Sequence, residues 1–274
     1  MTAATNPRPR FDVREFTKTA RGNHRAELDL SDLQSSPLTQ DSLRAISYLR
    51  DLESATMQWL RNVLVTATHK DARVTAFLVT WAFEKFWIAD ALQAVVEASG
   101  YQSPPRPEGP RRRSMAERAE RIGPIRRALQ AIVVGPTIVA VHTTTELVDQ
   151  WVTRAAYERI AEVSDNRALR STVELILDVK ARHEEFFFDE SVRRLSESER
   201  AARLTRRSLR AMAWPIGAAD HSDEDRTFFE RYVFGSAAGS SAGAAAADAI
   251  ATRIAELPRI GSRVAQTVRG RLVS

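Results

Sequence analysis

Three glutamates and one histidine are the residues of this chain whose type and spacing suit a metal ion. Glu53, Glu84 and Glu146 each lie in a separate long stretch with helix-like apolar spacing, and His183 lies in a fourth. Carboxylate oxygens combined with imidazole nitrogens are ligands suited to iron or manganese. Residues three apart share one face of a helix, so a Glu-x-x-His pair can bind one metal pair. The chemistry to test is therefore metal binding inside a helical bundle.

Two positions break the pattern Glu, Glu-x-x-His, Glu, Glu-x-x-His that a bundle with two metal ions uses. Trp87 stands three residues after Glu84, where a second histidine is needed. Lys180 stands three residues before His183, where a glutamate is needed. An indole offers only an N–H donor and cannot ligate a metal, whereas an ammonium group can replace a cation among carboxylates. We therefore predict that Trp87 and Lys180 alter the site and that it does not bind two irons.

Two interpretations of the altered site stay open. In the first, no metal binds, and Lys180 and His183 neutralise the three glutamates in a buried cluster. Three carboxylates against at most two cations leave negative charge in excess, and an unpaired buried charge costs roughly 3–5 kcal/mol. In the second, that excess holds one iron or manganese ion, with Glu84, Glu146 and His183 as its ligands.

Two further candidates lie on the same predicted helix as Glu146. His142 precedes Glu146 by one turn and offers an additional imidazole ligand. Tyr157 follows it by three turns and offers a redox-active phenol, although a tyrosine with an apolar body and a hydrated hydroxyl group is the more ordinary interpretation. Both residues therefore remain candidates for the site.

The elements that must position these residues are helices, because apolar residues recur with the helical period along almost the whole chain. Four long helices are predicted: three at about 39–69, 71–98 and 137–163, and a fourth that starts around Ser164 or Asp165, as N-cap, and reaches about Leu195. A Pro-rich loop and a short basic helix form the one long connection, between the second and third helices. This connectivity is that of a ferritin-like four-helix bundle with one long crossover.

The predicted fold is all-α and has three parts. Residues 1–37 are polar and punctuated by prolines, which indicates an N-terminal arm. Residues 38–196 form the bundle, and residues 197–274 form a helical C-terminal extension packed on it. The absence of cysteine excludes disulfides and thiolate metal sites. No apolar segment has the length of a signal peptide or a membrane span, so we expect a cytoplasmic protein without a membrane span.

Charge composition narrows the partners. The chain has 40 basic and 35 acidic residues, a formal net charge of +5. Most basic residues are scattered among acidic ones, and no RNA-binding or zinc-finger signature occurs, so we predict no nucleic-acid partner. One dense basic cluster, at 111–127, is interpreted as solvated surface or as a docking surface for an acidic protein.

Four segments carry a family resemblance: LESATMQWL around Glu53, TWAFEKFWIADAL around Glu84, TTELVDQW around Glu146 and ILDVKARHEEFF around His183. In this order the chain resembles the ferritin-like di-iron carboxylate oxidases, and most closely the acyl-carrier-protein desaturases, over roughly residues 40–195. The resemblance implies a four-helix bundle, oxygen activation at two bridged irons, a homodimer, and an acyl chain delivered on an acidic carrier protein.

The altered ligand positions direct the functional prediction. The first hypothesis is a non-catalytic relative that binds an acyl chain or another hydrophobic ligand. A group of aromatic residues either lines a tunnel for that ligand or forms ordinary core: Trp59, Trp81, Trp87 and Phe186–Phe188. The alternative is a divergent oxygen-dependent oxidoreductase that uses one metal. Whether the protein is an enzyme therefore stays open, and the expected cofactor is either none or a single iron or manganese ion.

Overall fold

Helices form the regular structure of the computed structural model, which describes residues 10–102, 135–235 and 242–273. They are α1 (Val13–Lys18), α2 (Leu30–Ser35), α3 (Gln40–Ser54), α4 (Thr56–Leu64), α5 (Ala72–Ala98), α6 (Ile138–Glu162), α7 (Arg167–Glu197), α8 (Glu199–Ala211), α9 (Asp223–Phe234), α10 (Ala242–Glu256) and α11 (Ser262–Leu272). No strand occurs within the described ranges, so the predicted all-α class is confirmed. In the same part of the chain, no helix has both the length and the apolar composition to cross a membrane.

The long helices α3, α5, α6 and α7 form a helical bundle. Helix α3 packs along α5, and α6 packs along α7, to which it is joined by the short connection at 163–166. Contacts between α5 and α7 and between α3 and α6 join the two pairs. The predicted helix at 71–98 is found as Ala72–Ala98, and the Asp71 side chain caps it by accepting a hydrogen bond from the Val74 N–H at 3.0 Å.

Two predicted helix boundaries are wrong. The helix expected at 39–69 is divided at Ala55, where ψ is −7°. Helix α3 ends at Ser54, and α4 runs from Thr56 to Leu64. The fourth helix is capped by Asn166 rather than by Ser164 or Asp165. Asn166 accepts a hydrogen bond from the Leu169 N–H at 2.8 Å and also donates to the Ser36 carbonyl at 2.9 Å. Ser164, Asp165 and Asn166 are all residue types that suit an N-cap. The contact with Ser36, in a distant segment, favours Asn166.

The N-terminal segment differs from the predicted polar arm, because from Arg10 onward it packs on the bundle. Phe11, Phe16 and Leu33 are buried in the common core. The Phe11 N–H donates to Asp189 on α7 at 3.1 Å. Isolated apolar residues in a polar segment gave no periodic signal, yet each fills a place in the core.

Helices α8 to α11 form the C-terminal region. Helix α8 packs on α6, α10 packs on α6 and α11, and α11 also contacts α8. The loop between α8 and α9 returns to the bundle, where the Ile216 N–H donates to Asp149 on α6. The basic cluster predicted at 111–127 and the short basic helix of the crossover lie outside the described residues.

Candidate functional site

The four predicted ligand residues all lie in the bundle interior. Glu53 comes from α3, Glu84 from α5, Glu146 from α6 and His183 from α7, and each is at most 2% exposed. Ionised carboxylates are stable in such an interior only when they are paired and hydrogen-bonded. The partners of each glutamate therefore decide what the site can do.

Glu53 is held between two lysines. The Lys180 Nζ atom lies 3.2 Å from Glu53 Oε1, and the Lys85 ammonium forms an ion pair with Oε2. The Tyr157 hydroxyl donates to Oε1 at 3.0 Å. Burial alone would raise the pKa of Glu53, but the charges of Lys180 and Lys85 outweigh it and lower the pKa to about 2. Glu53 is thus an ionised carboxylate whose charge is fully matched.

Tyr157 is buried against this carboxylate. Burial and the negative charge of Glu53 raise the pKa of the Tyr157 phenol well above its ordinary value. The hydroxyl group is therefore a neutral donor that helps to fix Glu53. This geometry gives Tyr157 a positioning role beside the carboxylate.

Glu84 and His183 form a second group. His183 Nε2 donates to Glu84 Oε2 at 2.7 Å. The other oxygen, Oε1, accepts from the Arg182 guanidinium and from the Arg21 backbone N–H. Burial lowers the pKa of His183 to about 4 although Glu84 acts in the opposite direction, so the imidazole is neutral near pH 7. Both oxygens of Glu84 and the Nε2 atom of His183 are thus occupied by protein contacts.

Glu146 and Asp149 form a third group, on one face of α6. Glu146 Oε1 accepts from the Gln150 amide at 2.8 Å, and Asp149 accepts from the Ile216 N–H at 2.6 Å. Burial, with Asp149 adding to it, raises the pKa of Glu146 to about 8. Burial raises the pKa of Asp149 to about 6. Near pH 7 Glu146 therefore holds a proton, while Asp149 is largely ionised.

The two lysines of the cluster have opposite shifts. Burial lowers the pKa of Lys180, and the nearby charge of Lys85 adds to this effect. Burial also acts to lower the pKa of Lys85, but Glu53, Glu146 and Asp149 outweigh it and raise the pKa. Lys85 is consequently the firmer cation of the pair.

Sequence reasoning missed Lys85, Asp149 and Arg182. Lys85 directly follows Glu84, and adjacent residues point about 100° apart on a helix, so the sequence assigns the two side chains to different faces. Both are nevertheless buried, since α5 is surrounded by α1, α2, α3, α4 and α7. Asp149 could have been found, because it follows Glu146 by three residues and so shares its helix face.

The other candidates lie apart from the glutamates. His142 Nδ1 forms a hydrogen bond with the Thr68 hydroxyl at 2.9 Å, and burial lowers the pKa of this histidine to about 4. Trp87 is half-buried against the N-terminal segment, where a Cβ atom on Gly22 would lie 2.6 Å from its ring. The close approach of the chain at this point thus depends on glycine.

A metal ion has no ready ligand set in this geometry. Within the described ranges, no group of three or more histidine, aspartate and glutamate side chains is arranged so that it could hold a metal ion. Glu84 and His183 bind each other, and Glu146 makes its hydrogen bond to Gln150. The single-metal site of Glu84, Glu146 and His183 stays a prediction.

Two cavities lie beside the Glu53–Lys85 ion pair. The smaller, of about 150 Å³, is lined by residues of α4, α5, α6 and the loop after α8: Thr56, Trp59, Trp81, Lys85, Glu146, Asp149, Ile216 and Gly217 among them. The larger, of about 360 Å³, lies between the α3–α4 region and α5 and is lined by Arg50, Glu53, Ser54, Thr56, Met57, Ala82, Phe86, Ala89, Asp90 and Gln93. Thr56 lies in the wall of both.

The aromatic group divides between core and cavity. Phe186 stacks on Phe77 with ring centroids 3.6 Å apart, and Phe187 packs edge-on against the same ring. Neither Phe186 nor Phe187 lines either of the two cavities. Trp59 and Trp81 line the smaller cavity. The tunnel interpretation therefore does not hold for the buried phenylalanines of α7, which are core residues.

Comparison with known proteins gives no relative. No protein-family model matches the chain. No curated protein and no solved structure matches it either.

Proposed function

We propose that this protein is a ferritin-like helical-bundle protein that binds an apolar, chain-like ligand in its larger cavity, beside Glu53. The main support for this proposal is that two large apolar side chains in the cavity wall are exposed, Met57 at 52% and Phe86 at 58%. A ligand that covers them removes apolar surface from water, which contributes about 25 cal/mol for each Å² buried.

The dimensions and the wall of the cavity support a ligand with an apolar body. Its volume of about 360 Å³ lies within the range of small-molecule sites. Ala82 and Ala89 have small side chains on α5, and they leave space between that helix and α3. This volume suits a short or medium acyl chain.

The polar rim of the cavity is satisfied by its own contacts. Arg50 donates to Asp51 and to the Gln93 amide oxygen, and Arg25 binds Asp90 through two hydrogen bonds. Because these side chains already have partners, a ligand needs few polar groups of its own at the rim. The ligand is therefore selected by its apolar body, and Glu53 lies at the inner wall with its charge already matched by lysines.

The ferritin-like relationship is supported by order and burial. Glu53, Glu84, Glu146 and His183 come from four successive long helices and are all directed into the interior. The long connection falls between the second and third of these helices, as in bundles with one crossover. Lys180 and Lys85 now supply the positive charge beside Glu53. We infer a non-catalytic relative in which ammonium groups replace metal charge.

The test uses a side chain that fills the mouth of the cavity. Ser54 is exposed at the last turn of α3 and lines the cavity, so Ser54→Trp is expected to fold and to obstruct entry. Ala76→Trp is the matched control, because Ala76 is exposed on α5 and lines neither cavity. Titration with a fluorescent medium-chain fatty acid should show binding to the parent and to the control, and a loss of at least tenfold in affinity for Ser54→Trp.

Native mass spectrometry of the purified protein provides the second measurement. A co-purified lipid in the parent and in Ala76→Trp, and its absence from Ser54→Trp, would support the proposal. Equal binding by all three proteins, or no binding by the parent, would overturn it.

The single-metal oxidoreductase remains the alternative prediction. It requires His183 and Glu84 to exchange their mutual hydrogen bond for bonds to iron or manganese. Elemental analysis of protein from iron- and manganese-supplemented medium tests it. One equivalent of metal in the parent, lost in His183→Ala, would favour the oxidoreductase over the metal-free cluster.

A further inference from the structure

We propose that the smaller cavity is a second binding site, for a small ammonium ion that carries a hydroxyl group. This site is separate from the larger cavity, with which it shares Thr56 in its wall. The aromatic wall, the charges and the size of the smaller cavity point to this ligand, and no apolar ligand in the larger cavity is required.

Two indole rings form the aromatic wall. Trp59 and Trp81 both line the cavity, with ring centroids 5.3 Å apart and planes inclined at 66°. The face of an indole ring attracts cations through its quadrupole, which is how proteins recognise quaternary and methylated ammonium groups. Trp81 already holds a cation in this way, since the Lys85 Nζ atom lies 5.3 Å from its ring centroid, so Trp59 is the indole that a bound ammonium ion would use.

The charges of the cluster favour a cation over an anion. Glu146 and Asp149 line the cavity, whereas both lysines of the cluster, Lys85 and Lys180, are directed at Glu53. Glu146 and Asp149 therefore keep only neutral hydrogen-bond donors: the Gln150 amide and the Ile216 N–H. A bound ammonium ion would pair with the ionised Asp149 and would favour release of the proton from Glu146, so that both carboxylates face the cation.

A buried donor accounts for the hydroxyl group. Trp81 is 1% exposed, and its Nε1 atom has no hydrogen-bond partner among the described residues. A buried N–H without an acceptor is costly, so native proteins usually satisfy it. An oxygen atom on the ligand would provide the acceptor. The volume of the cavity, about 150 Å³, is that of a cavity able to hold a molecule about as large as benzene.

The experiment compares choline with its uncharged isostere, 3,3-dimethyl-1-butanol, by isothermal titration calorimetry on the full chain. We expect choline to bind at least tenfold more tightly than the isostere. Trp59→Leu and Glu146→Gln should each weaken choline binding about tenfold. The matched controls Trp87→Leu, a half-buried indole outside the cavity, and Glu158→Gln, an exposed residue of α6, should bind it as the parent does.

Three results would overturn the proposal. One is equal affinity for choline and the isostere, and another is choline binding that Trp59→Leu leaves unchanged. The third is binding of Mn²⁺ or Mg²⁺ to this cavity with no binding of choline, which would make it an inorganic cation site. Ser54→Trp separates the two sites, because it should abolish fatty-acid binding and leave choline binding intact.

Discussion

Glu190 and Glu146 are both glutamates buried in the same bundle, but Glu190 is in contact with cations, whereas Glu146 accepts a hydrogen bond from a neutral amide. Glu190 on α7 is surrounded by four arginines: Arg10 at 3.1 Å, Arg73 at 3.0 Å, Arg193 at 2.6 Å and Arg194 at 3.0 Å. Burial would raise the pKa of Glu190, but these arginines outweigh it and lower the pKa to about 2. Glu146 accepts from the Gln150 amide, and burial, with the neighbouring Asp149 adding to it, raises the pKa of Glu146 to about 8.

The difference separates a structural cluster from a candidate binding site. The Glu190 cluster joins the N-terminal segment, α5 and α7, and none of its residues lines either of the two cavities. The cluster of Glu53, Glu146 and Asp149 lies beside both cavities, and Glu146 and Asp149 have no arginine or lysine in direct contact among the described residues. A cluster in which carboxyl groups face open volume without cationic partners supports the proposed ligand binding.

The largest effect is expected from Glu53→Gln. This change leaves Lys85 and Lys180 buried without their shared anion, which should lower the free energy of unfolding by roughly 3–5 kcal/mol. Urea denaturation at pH 7 measures it. The double variant with Lys180→Met should regain part of the loss, because one unpaired charge is removed. A loss below about 1 kcal/mol would show that the ion pairs are not what holds this cluster.

Glu190→Gln is expected to lower stability by about 2 kcal/mol at pH 7, since the arginines around Glu190 are partly exposed. The folded pKa is below the ordinary 4.5, so the stabilisation is present above pH 4.5 and is lost as pH falls toward 2. Melting temperatures of variant and parent should therefore differ most at pH 7, and the difference should shrink at pH 3. A difference that is the same at pH 7 and at pH 3 would contradict the charge-based account.

Glu146→Gln should have the opposite pH dependence. The folded pKa of about 8 is above the ordinary 4.5, so the parent loses stability as pH rises from 4.5 to 8. The slope is at most about 1.4 kcal/mol for each pH unit. Denaturation at pH 7, 7.5 and 8, above the midpoint near pH 6 at which Asp149 titrates, should show this slope in the parent and a flat profile in the variant. Parallel profiles would mean that Glu146 is ionised throughout.

The smallest effect on stability is expected from Phe86→Ala, which should change the free energy of unfolding by less than about 0.5 kcal/mol because the side chain is exposed. Its affinity for the fatty-acid probe should nevertheless fall, since Phe86 lines the larger cavity. Val79→Ala, an exposed apolar residue of the same helix outside the cavity, is the control. Equal affinities of the two variants for the probe would show that Phe86 does not contribute to ligand binding.

The long helices were predictable because their apolar residues repeat with the helical period over many turns, as in α5 and α6. The break at Ala55 was not, because alanine is the residue that most favours a continuous helix. The cap at Asn166 was not either, because it depends on a contact with a distant segment, the Ser36 carbonyl. For the site, Glu53, Glu84, Glu146 and His183 were found by spacing. Lys85 and Arg182 were missed, because their roles depend on how many neighbours surround α5 and α7.

The break between α3 and α4 has a mechanical consequence. Glu53 belongs to the last turn of α3, whereas Thr56, the first residue of α4, lies in the wall shared by the two cavities. If a ligand in one cavity displaces α4, the volume of the other cavity changes as well. The occupancies of the two cavities would then be thermodynamically linked, and each ligand would alter the affinity of the other by the same factor.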